Sequence, residues 1–418
     1  MDKLLIRGGR PLRGEVQISG AKNSALPIMA ATILCNGEAH IENIPDLKDI
    51  RTMSKMLEIL GASVDFEDSR LIINTQHLTN NEAPYELVKT MRASVLTLGP
   101  LVARFGYAKV SLPGGCAIGE RPINLHLMGL EKMGAEISLA QGYVIAQVKE
   151  LRGANIFFDI STVTGTENLM MAAVFAKGKT TLENAACEPE VRDLADYLNS
   201  MGAKIYGAGT PVIEIEGVAG LVPSPYRIIP DRIETGTFIA IAGITAGNIL
   251  IKGCRTDHIS AIVEKMRETG IIITEEAQGL RVMAPKWGGL KCTDVKTMPY
   301  PGFPTDMQAQ FIAMMAVANG TSIVKETIFE NRFMHVAELR RMGANIETED
   351  NIATVRGVER LVGAPVMATD LRASASLVVG ALAAEGETII DRIYHLDRGY
   401  EKIEEKISKL GADVQRVK

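Results

Sequence analysis

The sequence predicts an α/β protein of two pseudo-threefold domains, each built from three copies of one helix-and-strand repeat with apolar helices enclosed by sheets. Three observations predict it. A glycine, usually followed by alanine, closes an amphipathic helical pattern at Gly61, Gly134, Gly202, Gly270, Gly343 and Gly411, with successive spacings of 73, 68, 68, 73 and 68 residues. Upstream of each lies a second, almost wholly apolar segment: SALPIMAATIL, SVLTLGPLVARF, NLMMAAVFA, FIAIAGITA, FIAMMAVA and SASLVVGALAA. Finally, 418 residues are too many for one comfortable core and enough for two domains of roughly 200 residues each.

The glycine-closed helices, such as DIRTMSKMLEILGA, have apolar residues at i, i+3 and i+4 and a charged opposite face, so they lie on the outside. A helix that is apolar all round must be buried on all sides. Each buried helix ends near a glycine (Gly37, Gly106, Gly178, Gly247, Gly320, Gly386) and runs into a β-rich segment such as KTTLEN or NILIKG. Two further strands follow each outer helix, so the repeat reads helix, strand, outer helix, strand, strand. The proline-marked stretch LVPSPYRIIPDR, Leu221 to Arg232, separates the third repeat from the fourth. The expected domains are 22–229 and 1–21 with 230–418; the first strand completes the last repeat, and the chain crosses between domains twice.

Composition narrows the function. Hydrophobic residues make up 46% and charged residues 23%, ordinary for a folded α/β chain, and the formal net charge of -5 provides no basic field for a nucleic-acid partner. Five scattered cysteines without a C-x-x-C pair point to a reducing compartment. With no apolar leader and no uninterrupted apolar run of membrane-spanning length, a cytoplasmic location and no membrane partner are expected. The six histidines have no metal-ligand spacing, so neither a metal nor a cofactor is expected. Oligomeric state is not encoded in any feature of the sequence, and a monomer is assumed.

The helix starts break the pattern. Counting 14 or 15 residues back from the glycine of each buried helix gives Lys22, Arg92, Thr164, Arg232, Asp306 and Arg372. A helix N-terminus is already positive, so a basic residue there opposes stability; four of the six repeats have one. Such starts suit an anionic ligand. Arg121, Arg332 and Arg398 lie 13, 11 and 13 residues before the outer-helix glycines and repeat the theme. Threefold packing is expected to bring these ends to one face of each domain, and two opposed faces would form a cationic cleft. Asp306 is the acid among these cations. It reads either as a helix cap, with Thr305, or as a general base for a substrate hydroxyl.

In SLPGGCAIGERPINLH, glycines surround Cys116 and Arg121 follows five residues later, an arrangement that favours the thiolate. An incidental cysteine in a hairpin turn is the other reading. Cys35, Cys187, Cys254 and Cys292 lack these features and read as small core or loop residues.

From end to end the chain resembles the UDP-N-acetylglucosamine enolpyruvyl (1-carboxyvinyl) transferases. The resemblance rests on GAKNSALP (20–27), KTMRAS (89–94), PGGCAIGERP (113–122), PGFPTDMQAQ (301–310), ENRF (330–333), DLRASASLV (370–378) and HLDRGYE (395–401). It implies an inside-out α/β barrel in each of two domains and an active site in the cleft between them. It also implies transfer of the enolpyruvyl group of phosphoenolpyruvate to the 3-hydroxyl of UDP-N-acetylglucosamine, the first committed step of peptidoglycan synthesis, with release of phosphate.

By the same resemblance, Lys22, Arg121 and Arg398 would grip the phosphate, Arg332 and Arg372 the carboxylate side, and Asn23 would contact substrate. The sugar nucleotide would lie against Arg92, Arg121, Pro122, Ile123, Asn124, Leu125, Asp306 and Ile328. Its diphosphate would lie near Ser161, Thr162, Val163, Thr164 and Gly165, in a segment one residue longer than the common family pattern. Asp306 would act as base, with Lys22 and Arg398 assisting the chemistry. Cys116 would act as acid or form a covalent pyruvate adduct, on a loop that closes over the site when nucleotide binds. Two alternatives remain: a transferase acting on a shikimate phosphate, and a non-catalytic paralogue that binds UDP-sugars.

Overall fold

The computed structural model describes residues 2–112 and 123–418. Among these residues there are six four-stranded sheets, and each repeat supplies one of them together with one buried and one outer helix. The first repeat shows the plan. Helix Lys22–Ala31 leads to strand Glu38–Glu42, helix Lys48–Leu60 and the hairpin Ser63–Glu67 and Arg70–Asn74. The strand after the buried helix pairs antiparallel with the second hairpin strand, Ala39 facing Ile73. Buried and exposed residues alternate along these strands, so one face of each sheet packs on helix and the other meets solvent.

The other five buried helices begin at Arg92, Val163, Arg232, Thr305 and Leu371. The Arg92 and Thr305 segments open as 3-10 turns before becoming α-helix at Leu98 and Gln308. All six outer-helix glycines adopt left-handed backbone, with φ between 89° and 106°, the geometry that ends a helix without a Cβ clash. The fourth repeat departs from the expected pattern at the end of its buried helix. The left-handed residue is Ala246 (φ 48°), one place before Gly247. Gly247 is needed for a different reason: a Cβ there would lie 2.8 Å from the carbonyl oxygen of Leu12.

A fourth strand joins each sheet in parallel, generally from the segment just before the repeat's buried helix. Two repeats exchange this strand. Arg13–Gln17, which precedes the Lys22 helix, pairs with Asn248–Lys252, whereas Tyr226–Arg227, which precedes the Arg232 helix, pairs with Glu38–Glu42. In the sixth repeat, strand Lys3–Arg7 lies between Glu387–Asp391 and Asp413–Val417, antiparallel to both, so the N-terminus completes the last sheet.

The chain divides into two compact units, residues 20–112 with 123–229, and residues 2–19 with 230–418. Each has its own core. In the 20–229 unit it is centred on Met29, Leu101 and Met171, and in the other on Ile241, Phe311 and Val379. Within each unit the three buried helices pack against one another. Gly20, at the start of the 20–229 unit, has no room for a side chain: a Cβ there would lie 1.7 Å from the carbonyl oxygen of Asn43. Among the described residues no helix is long and apolar enough to cross a membrane.

Candidate active site

In the 230–418 unit, three of the singled-out residues meet. Arg332 donates to Asp306 Oδ1 at 2.8 Å and Arg372 to Asp306 Oδ2 at 2.9 Å, so the carboxylate is held by a guanidinium on each oxygen. Both arginine side chains are 4% exposed, whereas Asp306 keeps 26% of its side chain accessible. Partial burial works to raise the Asp306 pKa, but the charges and hydrogen bonds of Arg372 and Arg332 outweigh it and hold the carboxyl well below the usual carboxylate range. Asp306 is therefore ionised and is not a helix cap; its side chain belongs to the arginines.

Arg372 is the more constrained cation. It lies 5.5 Å from the centre of the Tyr400 ring and donates to Asp306 through Nη2, while its Nε and Nη1 have no hydrogen-bond partner among the described residues. Buried donors are almost always satisfied in native proteins, so two unsatisfied donors on a buried guanidinium suit an incoming anion. The basic helix start is offset locally by Asp370, whose carboxylate accepts from Arg372 N at 2.8 Å and Ala373 N at 3.0 Å. Asp231 caps the Arg232 helix in the same way, and the Arg232 guanidinium lies 5.7 Å from the Tyr300 ring centre. Arg398 ends the 3-10 segment Ile393–Arg398. The next residue, Gly399, packs against Leu371 with no room for a Cβ, which brings Arg398 beside the start of the Arg372 helix.

Below the arginines lies a polar layer. Tyr400 Oη is 2.9 Å from Thr237 Oγ1, and Gln310 Nε2 donates to Tyr400 Oη, Thr237 Oγ1 and the carbonyl of Asp306. Burial pushes the Tyr400 pKa up and keeps the phenol neutral. Glu326, 2% exposed, accepts from Thr305 Oγ1 at 2.9 Å, and Thr305 Oγ1 in turn accepts from Arg332.

The 20–229 unit is arranged differently. Lys22, the first residue of its helix, forms a buried ion pair with Asp49 at 3.2 Å. Asn23 follows it and is partly exposed. Thr162 caps the Val163–Ala173 helix by accepting from Gly165 N, and Thr164 Oγ1 is 3.3 Å from His126 Nε2. The other nitrogen of His126 is 2.8 Å from Asn168 Nδ2. Burial and then the charge of Arg92 lower the His126 pKa to about 3, so this imidazole is neutral. Ile123, Asn124 and Leu125 open the helix that carries His126, and Ser161 precedes the Thr162 cap. This places Arg92, Thr164 and the 123–126 segment in one neighbourhood. Ile328 belongs to the other unit, on the segment held by Glu326.

Cys116, Arg121 and Pro122 lie outside the described residues. The other four cysteines are free thiols, and burial raises the pKa of each, to about 12 for Cys35. None is a reactive thiolate. The sequence reading passed over Asp49, Asp231, Asp370, His126, Tyr400 and Glu326. An acid at or next to a helix-start cation, as in Asp231-Arg232 and Asp370-Leu371-Arg372, is the one local signal that marks two of them.

Comparison with known proteins shows the class, a carboxyvinyl transferase. The family profile for EPSP synthase (3-phosphoshikimate 1-carboxyvinyltransferase) matches residues 6–407, and the chain belongs to that family. Within it, the chain is 65% identical to the UDP-N-acetylglucosamine 1-carboxyvinyltransferase of Thermodesulfovibrio yellowstonii, with 100% of both chains covered. It is 59% identical to the enzyme of that name from Trichlorobacter lovleyi, over 100% of this chain and 99% of the relative. Among solved structures, the enolpyruvyl transferase NikO from Streptomyces tendae superposes with a TM-score of 0.90 at 26% identity, covering 100% of this chain and 99% of the other. EPSP synthase from Acinetobacter baumannii superposes with a TM-score of 0.75 at 17% identity over 100% of both chains, a likeness of fold alone. The enolpyruvyl transferase fold is thus established.

Proposed function

We propose that the protein transfers the enolpyruvyl group of phosphoenolpyruvate to the 3-hydroxyl of UDP-N-acetylglucosamine, releasing phosphate, in the cytoplasm and as an early step of peptidoglycan synthesis. The observation that carries this reading is the buried Arg372, with two unsatisfied donors, beside Arg332 and the ionised Asp306. This arrangement suits a small dianion next to a base. The activity for which the relatives are named supports this acceptor.

In this mechanism, protonation of the phosphoenolpyruvate methylene makes its central carbon electrophilic. The sugar 3-hydroxyl adds there as its proton leaves, giving a tetrahedral ketal. Loss of phosphate with a proton from the former methyl group restores the double bond. Arg332 and Arg372 hold the carboxylate, while Lys22, Arg121 and Arg398 hold the phosphate, so that fixed donors meet the charge as it develops. Asp306 takes the hydroxyl proton. A carboxylate held by two guanidiniums is a weak base, so the substrate's own carboxylate must first draw Arg332 and Arg372 towards itself. Cys116 supplies the methylene proton or forms the enolpyruvyl adduct. Asn23, Arg92, the 121–125 and 161–165 segments, Asp306 and Ile328 hold the sugar nucleotide.

The test is phosphate release from phosphoenolpyruvate with UDP-N-acetylglucosamine or a shikimate phosphate as acceptor, with product analysis by mass spectrometry. Release and an enolpyruvyl product with the sugar nucleotide alone support the proposal. A product with the shikimate phosphate alone transfers the assignment to that acceptor, and nucleotide binding without any phosphate release favours a sensor.

A further inference from the structure

Glu326 is a buried carboxylate that forms no ion pair among the described residues. Four donors hold it instead. Thr297 Oγ1 and the backbone N–H groups of Ile328 and Phe329 reach Oε1 at 2.8, 2.8 and 3.3 Å, and Thr305 Oγ1 reaches Oε2 at 2.9 Å. A buried charge without a counter-ion is unfavourable unless hydrogen bonds replace water on every side. Here these bonds converge on two segments that carry the site.

A hydroxyl has one proton to give. Because Thr305 directs its proton to Glu326, its lone pairs remain for Arg332 Nη1, which donates to it at 3.2 Å. Asp306 is the next residue in the chain and takes Arg332 Nη2. On the other arm, the bonds to Ile328 N and Phe329 N fix the backbone that leads to Arg332, whose guanidinium lies 5.3 Å from the Phe329 ring centre.

We propose that Glu326 is the positioning residue of this site, setting Arg332 and Asp306 through the Thr305 hydroxyl and setting Ile328 through its backbone. The inference rests on the function proposed above and adds a residue with two separable effects. Glu326→Gln keeps size and removes the charge, but its amide can donate to Thr305 and turn the hydroxyl proton towards Arg332. Thr305→Val removes the Arg332 arm alone and leaves the Ile328 arm in place.

The experiment is steady-state phosphate release by the parent, E326Q, T305V and the double variant, with melting temperatures measured in parallel. E326Q is expected to lower kcat by roughly a hundredfold, the effect of misplacing a reacting group by about 1 Å, and to raise KM for both substrates. T305V is expected to raise KM for phosphoenolpyruvate by a clearly larger factor than KM for the sugar nucleotide, because the Ile328 arm stays in place. The double variant should be no worse than E326Q. Parental kinetics in E326Q, or losses in the two single variants that simply multiply, overturn the proposal. So does a lowered melting temperature in T305V with no split between its two KM values, because that is what a purely structural role gives. Should E326Q fail to fold, T305V alone decides by the same split. If the parent itself is inert with this substrate pair, the functional reading fails instead. Amide exchange at Ile328 and Phe329, expected to be faster in E326Q and overturning the inference if unchanged, then decides whether Glu326 holds the segment.

Discussion

The two units solve one electrostatic problem in different ways. In the 230–418 unit, cations from separate repeats share a single acid, with Arg332 and Arg372 closing on Asp306, while the acid caps Asp231 and Asp370 satisfy the helix starts. In the 20–229 unit, Lys22 has its own partner in Asp49, and Arg92 lies near a neutral imidazole. The difference separates an arrangement that a substrate anion must rearrange from one that is largely fixed beforehand.

The sharpest way to break this comparison is Arg372→Ala. It removes a buried guanidinium that both holds Asp306 and offers two open donors. Phosphate-release kinetics should show kcat/KM for phosphoenolpyruvate falling by roughly a thousandfold. Urea denaturation should also show a loss of about 3 kcal/mol, typical of breaking a buried ion pair. Arg372→Lys keeps the charge without the planar fork and should recover stability better than activity. If activity recovers equally, the unsatisfied donors have no role.

The histidines sharpen the comparison through pH. Burial lowers the pKa of His126 to about 3, with Arg92 adding to the effect, and that of His335 to about 4, where Asp370 opposes the fall. Both lie below the unfolded value of about 6.5, so the unfolded chain binds the extra protons. Their stabilisation is complete above about pH 6.5 and is lost as pH falls towards the folded values, at roughly 1.4 kcal/mol per pH unit for each histidine. Melting curves between pH 7 and pH 5 should show this loss. Histidine-to-asparagine variants should reduce it, and over a wider acid range the effect should be larger at His126 than at His335.

The smallest expected effect concerns the thiols. Burial pushes Cys35 up to about 12, so alkylation at pH 8 followed by peptide mapping should leave it unlabelled in the native protein and labelled after denaturation. Rapid native labelling at Cys35 would contradict the packing around it.

Much of the fold was legible because its signals are local. A glycine ending a helix and an apolar segment with no polar face are read within a dozen residues, and their recurrence exposes the repeat. The exception is the Ala246-Gly247 pair, where Ala246 takes the left-handed position and the Leu12 carbonyl that leaves Gly247 no room for a Cβ comes from far away in the chain. The cations of the site were legible as misfits at helix starts. Their partners were not, because Asp49 is 27 residues from Lys22 and Asp306 is 66 residues from Arg372. Asp306 could be read locally as a cap, and only tertiary packing gives its carboxylate to two arginines. Glu326 left no mark in the sequence, since a carboxylate satisfied by hydroxyls and backbone amides has no charged neighbour at a recognisable spacing.

In the proposed mechanism Asp306 is an ionised group freed to act when substrate engages its arginines. Asp306→Asn tests this most directly, in a single-turnover experiment with excess enzyme, phosphoenolpyruvate and UDP-N-acetylglucosamine. Both substrates should still bind, and phosphate release should slow by roughly a hundredfold or more. Release at the parental rate from this variant would contradict the mechanism.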